Sequence, residues 1–145
     1  MPMNRKLYPR DWDDIARRVK DRVGWRCEEC DRPCRRPGES WPELVERLYA
    51  IDFRWYAQSC EEVTDPETGG WTAVEKPGRF VLTAAHLDHD PQNCDPSNLR
   101  ALCPACHLRH DLDHHIRTRR ANRHRRREAS GQLTLFDTDR PDPLR

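Results

Sequence analysis

Two Cys-x-x-Cys pairs, Cys27/Cys30 and Cys103/Cys106, stand 72 residues apart and constrain this chain more than any other feature. Paired thiols of this kind are a common source of four tetrahedral metal ligands. The chain needs such a staple. Of its 145 residues 35% are hydrophobic and 35% are charged, so apolar burial alone yields only a small core. Cys34 is a spare thiol near the first pair, and it, Cys60 and Cys94 are expected to stay outside the ligand set.

No basic segment followed by an apolar run opens the chain, and its longest apolar stretches are a few residues. Secretion and membrane spanning are therefore not expected, and a cytoplasmic location is. There thiols stay reduced, which favours metal binding over disulfides. The formal net charge of +1 conceals an asymmetry. From His107 to Arg127, Arg109, Arg117, Arg119, Arg120, Arg123, Arg125, Arg126 and Arg127 face only Asp111 and Asp113, a net +6. From Gly38 to Gly78 nine acidic residues face Arg47, Arg54 and Lys76, a net −6. Such polarity points to a polyanionic partner at one end of the molecule.

Along the chain, Asp11 to Val23 predicts an amphipathic helix with Trp12, Ile15, Val19 and Val23 on one face, capped by Asp11 and stopped at Gly24. The first cysteine pair follows on a tight turn. Ser40-Trp41-Pro42-Glu43 has the form of a capping box with proline in the first turn, and the spacing of Leu44, Leu48, Ile51 and Trp55 predicts a helix over about 42–57. Its aromatic residues are expected in the core. Trp71–Glu75 and Arg79–Leu87 read as a hairpin around Lys76-Pro77-Gly78. Asp95-Pro96 opens a short helical turn carrying Asn98, and Pro104 starts a helix that presents Cys106 and His107 in its first turn. Leu108, Leu112 and Ile116 form its apolar stripe, beyond which 117–127 has no core-facing pattern.

The run from Ala85 to His107 gathers histidines, carboxylates, an asparagine and the second cysteine pair. It resembles the HNH endonuclease motif, with His86-Leu87-Asp88, Pro91, Asn93, Asp95-Pro96, Asn98-Leu99, Leu102-Cys103 and Cys106-His107 on the family's pattern without gaps. The resemblance implies an α+β fold: a small zinc-stabilised ββα-metal domain with an N-terminal helix, a helical insertion and a basic C-terminal helix. The nuclease domain would span 1–116, with a zinc knuckle at 25–34, an insertion at 35–78 and the ββα core at 79–116. A basic extension at 117–129 and a flexible tail at 130–145 would follow. Cys27, Cys30, Cys103 and Cys106 would hold structural zinc. His86 would be the general base, Asn98 would fix the loop, and His107 would ligate a catalytic cation, Mg²⁺ or similar.

One position departs from the pattern. The residue before the base normally ligates the catalytic cation, and here it is Ala85. Asp88, His89 or Asp111 can take its place, or Asp88-His89 is itself the catalytic pair with His89 as base. If none does, the domain is a non-catalytic zinc module that binds DNA or serves as an adaptor. The arginines at 109 and 117–127 suit a DNA backbone without strong sequence preference. Gln132-Leu133-Thr134-Leu135-Phe136 resembles the short peptide by which bacterial replication and repair proteins dock on the β sliding clamp.

Overall fold

The structure, a computed structural model, describes residues 5–131. The pentamer at 132–136 lies outside them. Contacts divide the chain into one unit ending at His110 and another beginning at Asp111.

The first unit is built on α1 (Trp12–Arg22), which buries Trp12, Ala16 and Val19. Asp11 sits at its N-cap position but makes no side-chain cap. Gly24 and Trp25 then take left-handed conformations, φ 60° and 61°, turning the chain into the cysteine knuckle. Glycine adopts this region freely and tryptophan does so at a cost.

The capping box forms as expected at the start of α2 (Trp41–Ile51): the Ser40 hydroxyl accepts from the Glu43 N–H, and Glu43 accepts from the Ser40 N–H at 2.7 Å. Ser40→Ala is expected to cost about 1 kcal/mol in thermal denaturation. The single helix expected over 42–57 is instead broken at Asp52. This residue is extended, φ −166°, and its carboxylate accepts from Arg54 N at 2.7 Å, starting the short α3 (Phe53–Tyr56). An aspartate whose side chain satisfies a backbone donor offers the chain an alternative to continuing the helix. Leu44, Leu48, Trp55 and Phe80 form a small core of their own. Tyr49 and Phe53 remain exposed, against the expectation that all the aromatics would be buried.

The hairpin expectation was wrong in its pairing. β1 (Cys60–Thr64) pairs antiparallel with β2 (Trp71–Glu75) around the turn at 65–70, where Asp65 N donates to Gly70 O at 2.7 Å. The Asp65 carboxylate also accepts from the Glu67 and Thr68 N–H groups, so this turn is organised by its own side chain. Pro77 to Phe80 forms a 3₁₀ turn and joins no strand.

β3 (Thr83–His86) pairs instead with β4 (Leu99–Leu102), matching Ala85 to Arg100 and His86 to Leu99. The loop from 87 to 98 therefore lies between the two strands and not after them. α4 (Pro104–Ala129) follows β4 directly. Within the first unit, β3 and β4 pack on α1, and Trp12, Val19, Leu82, Ala85, Leu99, Ala101 and Leu102 share a core with Cys27, Cys34, Cys103 and Cys106. The stripe Leu108, Leu112 and Ile116 is exposed, so the apolar periodicity there does not mark a packed face.

Candidate metal centre and histidine loop

Four thiols converge inside this core. Cys27 and Cys30 come from the knuckle, which is closed by Cys27 N donating to Arg32 O at 3.0 Å and Asp31 N donating to Cys27 O at 2.9 Å. Cys103 lies between β4 and α4, and Cys106 lies in the first turn of α4. Their sulfurs all lie within 4.8 Å of one another. The Cys30 and Cys103 Sγ atoms are 3.7 Å apart. Tetrahedral zinc with Zn–S near 2.3 Å requires an S···S edge of about 3.8 Å, so the group fits a zinc ion. Burial acts to raise the Cys27 thiol, but N–H groups of Cys103, Cys30 and Glu29 outweigh it and hold the thiol below its ordinary value. Cys103 N donates to Cys27 Sγ at 3.3 Å. Such donors suit a thiolate ligand.

Cys34 is fully buried nearby but outside this group, its Sγ donating to the carbonyls of Arg32 and Val81. Burial pushes it up to about 12. Glu28 couples the knuckle to the sheet: its N–H donates to Ala101 O at 3.0 Å, and its carboxylate accepts from Ala101 N at 2.5 Å. Nothing in the sequence marked Glu28 for that role.

The histidine loop is organised by Asp88 and Asn98. Asn98 Nδ2 donates to Asp88 Oδ1 at 2.9 Å and to Asn93 O at 2.8 Å. Asn93 Nδ2 donates to Asp88 Oδ2 at 2.6 Å, and Asp90 N donates to Asp88 Oδ1 at 2.9 Å. In return Asp88 N donates to Asn98 Oδ1 at 3.2 Å. The Asn98 amide and then the Asp90 N–H and Asn93 amide hold the Asp88 carboxyl down at about 2. Its contribution is thus fully present above the ordinary carboxylate value near 4 and is lost only as pH falls through about 2. Cysteine ligands take up protons well above that, so acid unfolding is expected to track metal release and not this latch. Asp88→Asn places a donor against donors. It is expected to speed amide exchange at Asp90 by about tenfold and leave β3 and β4 unchanged, a comparison made by hydrogen exchange.

The latch fixes His89 in the left-handed conformation, φ 62°. From there the His89 ring stacks on His110 of α4, with centroids 4.9 Å apart and the ring nitrogens within 4.8 Å. His110 Nε2 is buried with no hydrogen-bond partner, a donor set that suits a divalent cation. His110 was missed in the sequence. Its only signal is the step of three from His107, and that step acquires meaning once the loop is known to return beside the helix. Asp111 is the next residue along α4 and opens the second unit.

His86 lies elsewhere. It is 8% exposed, stacked on Trp12 with centroids 4.8 Å apart, and its Nε2 faces Cys94 Sγ at 3.7 Å. Burial keeps it below its ordinary value. His107 is held by Thr83, with Oγ1 and Nδ1 3.0 Å apart. Ala85 is buried in the core. The loop and helix thus bring together His89 and His110, while His86 and His107 each have a different neighbour.

In the second unit α4 continues as a helix to Ala129, and Gly131, φ 68°, follows its end. Arg119, Arg123, Arg126 and Arg127 line one face of it. Arg117, Arg120 and Arg125 are exposed as well, as is Arg109 in the first unit. No described helix is long and apolar enough to cross a membrane. No family model, curated protein or solved structure matches the chain.

Proposed function

We propose that the chain is a metal-dependent endonuclease of the HNH kind that hydrolyses DNA phosphodiester bonds. The reading is supported above all by the strand-loop-strand-helix unit that sets His89 against His110 beside a four-cysteine cluster. Zinc on Cys27, Cys30, Cys103 and Cys106 is the structural staple. His110, with its buried Nε2, would hold a catalytic Mg²⁺ or similar cation, which would supply neutralisation of charge developing on the phosphate. His89 takes the proton from the attacking water, the general-base role that a neutral imidazole serves. Asp88 and Asn98 position His89, and the arginines of α4 hold the DNA backbone. The pentamer at 132–136 serves as a tether to a bacterial β sliding clamp. The test is conversion of supercoiled plasmid to nicked or linear DNA with Mg²⁺, Mn²⁺ or Ni²⁺, and its suppression by chelator.

One observation favours a second reading. Ala85 offers no ligand where the family's pattern places one, and Asp88, a candidate to replace it, is engaged within the loop by Asn98 and Asn93. A zinc module that binds DNA without cutting it would account for that. Either reading requires salt-sensitive binding. If four of the arginines neutralise phosphates, the log–log slope of affinity against salt is expected to be about −3.6, measured by fluorescence anisotropy on a labelled duplex.

A further inference from the structure

We infer that a phosphate-binding subsite lies beside the His89–His110 pair, formed by Arg100 and Arg109 and occupied at rest by the carboxylate of Glu29. The inference rests on the nuclease reading for the identity of its ligand, a phosphate of the nucleic-acid backbone. A cavity of about 140 Å³ opens next to the zinc knuckle, and Glu29, Leu87, Arg100, Cys106, Arg109 and His110 line it. Arg100 is the exposed position of β4, where the other three residues are buried. Its Nη1 lies 3.5 Å from Glu29 Oε2, and both side chains are about half exposed, 50% and 49%. At that distance and exposure the ion pair is weak, held more by proximity than by a formed hydrogen bond. The pair serves better as a placeholder than as a brace. The carboxylate keeps the guanidinium aimed into the cavity, and a phosphate, with more charge and more acceptor oxygens, can displace it and accept two N–H groups at once.

The walls favour that exchange. Leu87, Leu102 and Cys106 supply apolar surface, which strengthens a charge pair formed against them. Arg109 brings a second cation, and His110 carries the buried Nε2 that lacks a protein partner. A phosphate here therefore sits against His110, one of the two stacked histidines, at the place a neighbouring backbone phosphate would occupy while another is being cut. Glu29 and Glu28 divide the work of the knuckle. Glu28 is spent on the sheet edge at Ala101, leaving Glu29 to face Arg100.

The test uses the zinc-loaded full-length chain without added Mg²⁺ and follows a titration with inorganic phosphate by amide NMR. The subsite predicts saturable shifts at Glu29, Arg100 and Arg109. Arg100→Ala weakens binding by about tenfold or more, the contribution of one charge-assisted hydrogen bond. Arg100→Lys, which keeps the charge and loses the fork, falls between. Glu29→Gln removes the competing carboxylate and tightens phosphate binding by about threefold, whereas a brace would give the opposite sign. Shifts confined to the arginines at 117–127, or a Glu29→Gln variant that binds phosphate no tighter, would overturn the subsite. Plasmid cleavage with no response of phosphate binding to either substitution would remove the subsite and leave the nuclease reading. Phosphate binding as predicted in a chain that cuts no DNA would remove the nuclease reading and leave the subsite.

Discussion

Cys103→Ser is expected to abolish both metal binding and the cooperative fold of the first unit. The thiol is fully buried, and three of the four candidate ligands, Cys27, Cys103 and Cys106, belong to the same core as Trp12, Leu99 and Leu102. That core is small. A structural zinc contributes on the order of 10 kcal/mol to folding modules of this kind, comparable with the whole stability of an ordinary domain of about 5–15 kcal/mol. Loss of one ligand therefore removes most of what holds β3, β4 and the knuckle together. Cys34→Ser is the matched control, since Cys34 is equally buried but lies outside the four-sulfur group, its sulfur donating to the carbonyls of Arg32 and Val81. It is expected to keep one zinc per chain and to cost no more than about 2 kcal/mol. Metal content by mass spectrometry and a thermal melt separate the two. A Cys103→Ser chain with unchanged zinc and unchanged melting would refute the staple.

The second large effect is expected at His89. If it removes the proton from water, His89→Ala slows cleavage by about 10²–10⁴-fold, the worth of a general base. Stability should move little, because the ring lies on the loop, outside both buried cores, and stacks on His110. His86→Ala should do the reverse. Its ring fills the space over Trp12 and is 8% exposed, so truncation is expected to cost about 2 kcal/mol while cleavage per folded molecule stays near wild type. His86 is also held neutral by burial, so its own contribution to stability declines as pH falls below about 6.5, where the unfolded chain takes up the proton.

Much of the centre was legible because its information is local. The cysteine spacing, the capping box at Ser40, the turn at Asp95-Pro96 and the proline that starts α4 each depend on residues within a few positions of one another. Strand pairing does not. Asp65–Gly70 and Lys76–Gly78 both read as turns, and only the partner available to each flanking segment decides which closes a hairpin. Asp52 broke a helix that the apolar spacing carried through, because its side chain met the Arg54 N–H first. A gap-free match to a motif aligned His86 with the base but carried nothing about its packing: α1 packs on β3, and His86 is buried there against Trp12. His110 was invisible until the loop's return over α4 fixed what lay beside it.

Cleavage of supercoiled plasmid by wild type, His86→Ala and His89→Ala, at equal zinc content and saturating divalent cation, tests the account most directly. It predicts cutting by wild type and His86→Ala and none detectable by His89→Ala. Equal cutting by His89→Ala, or no cutting by wild type with any of Mg²⁺, Mn²⁺ and Ni²⁺, would contradict it.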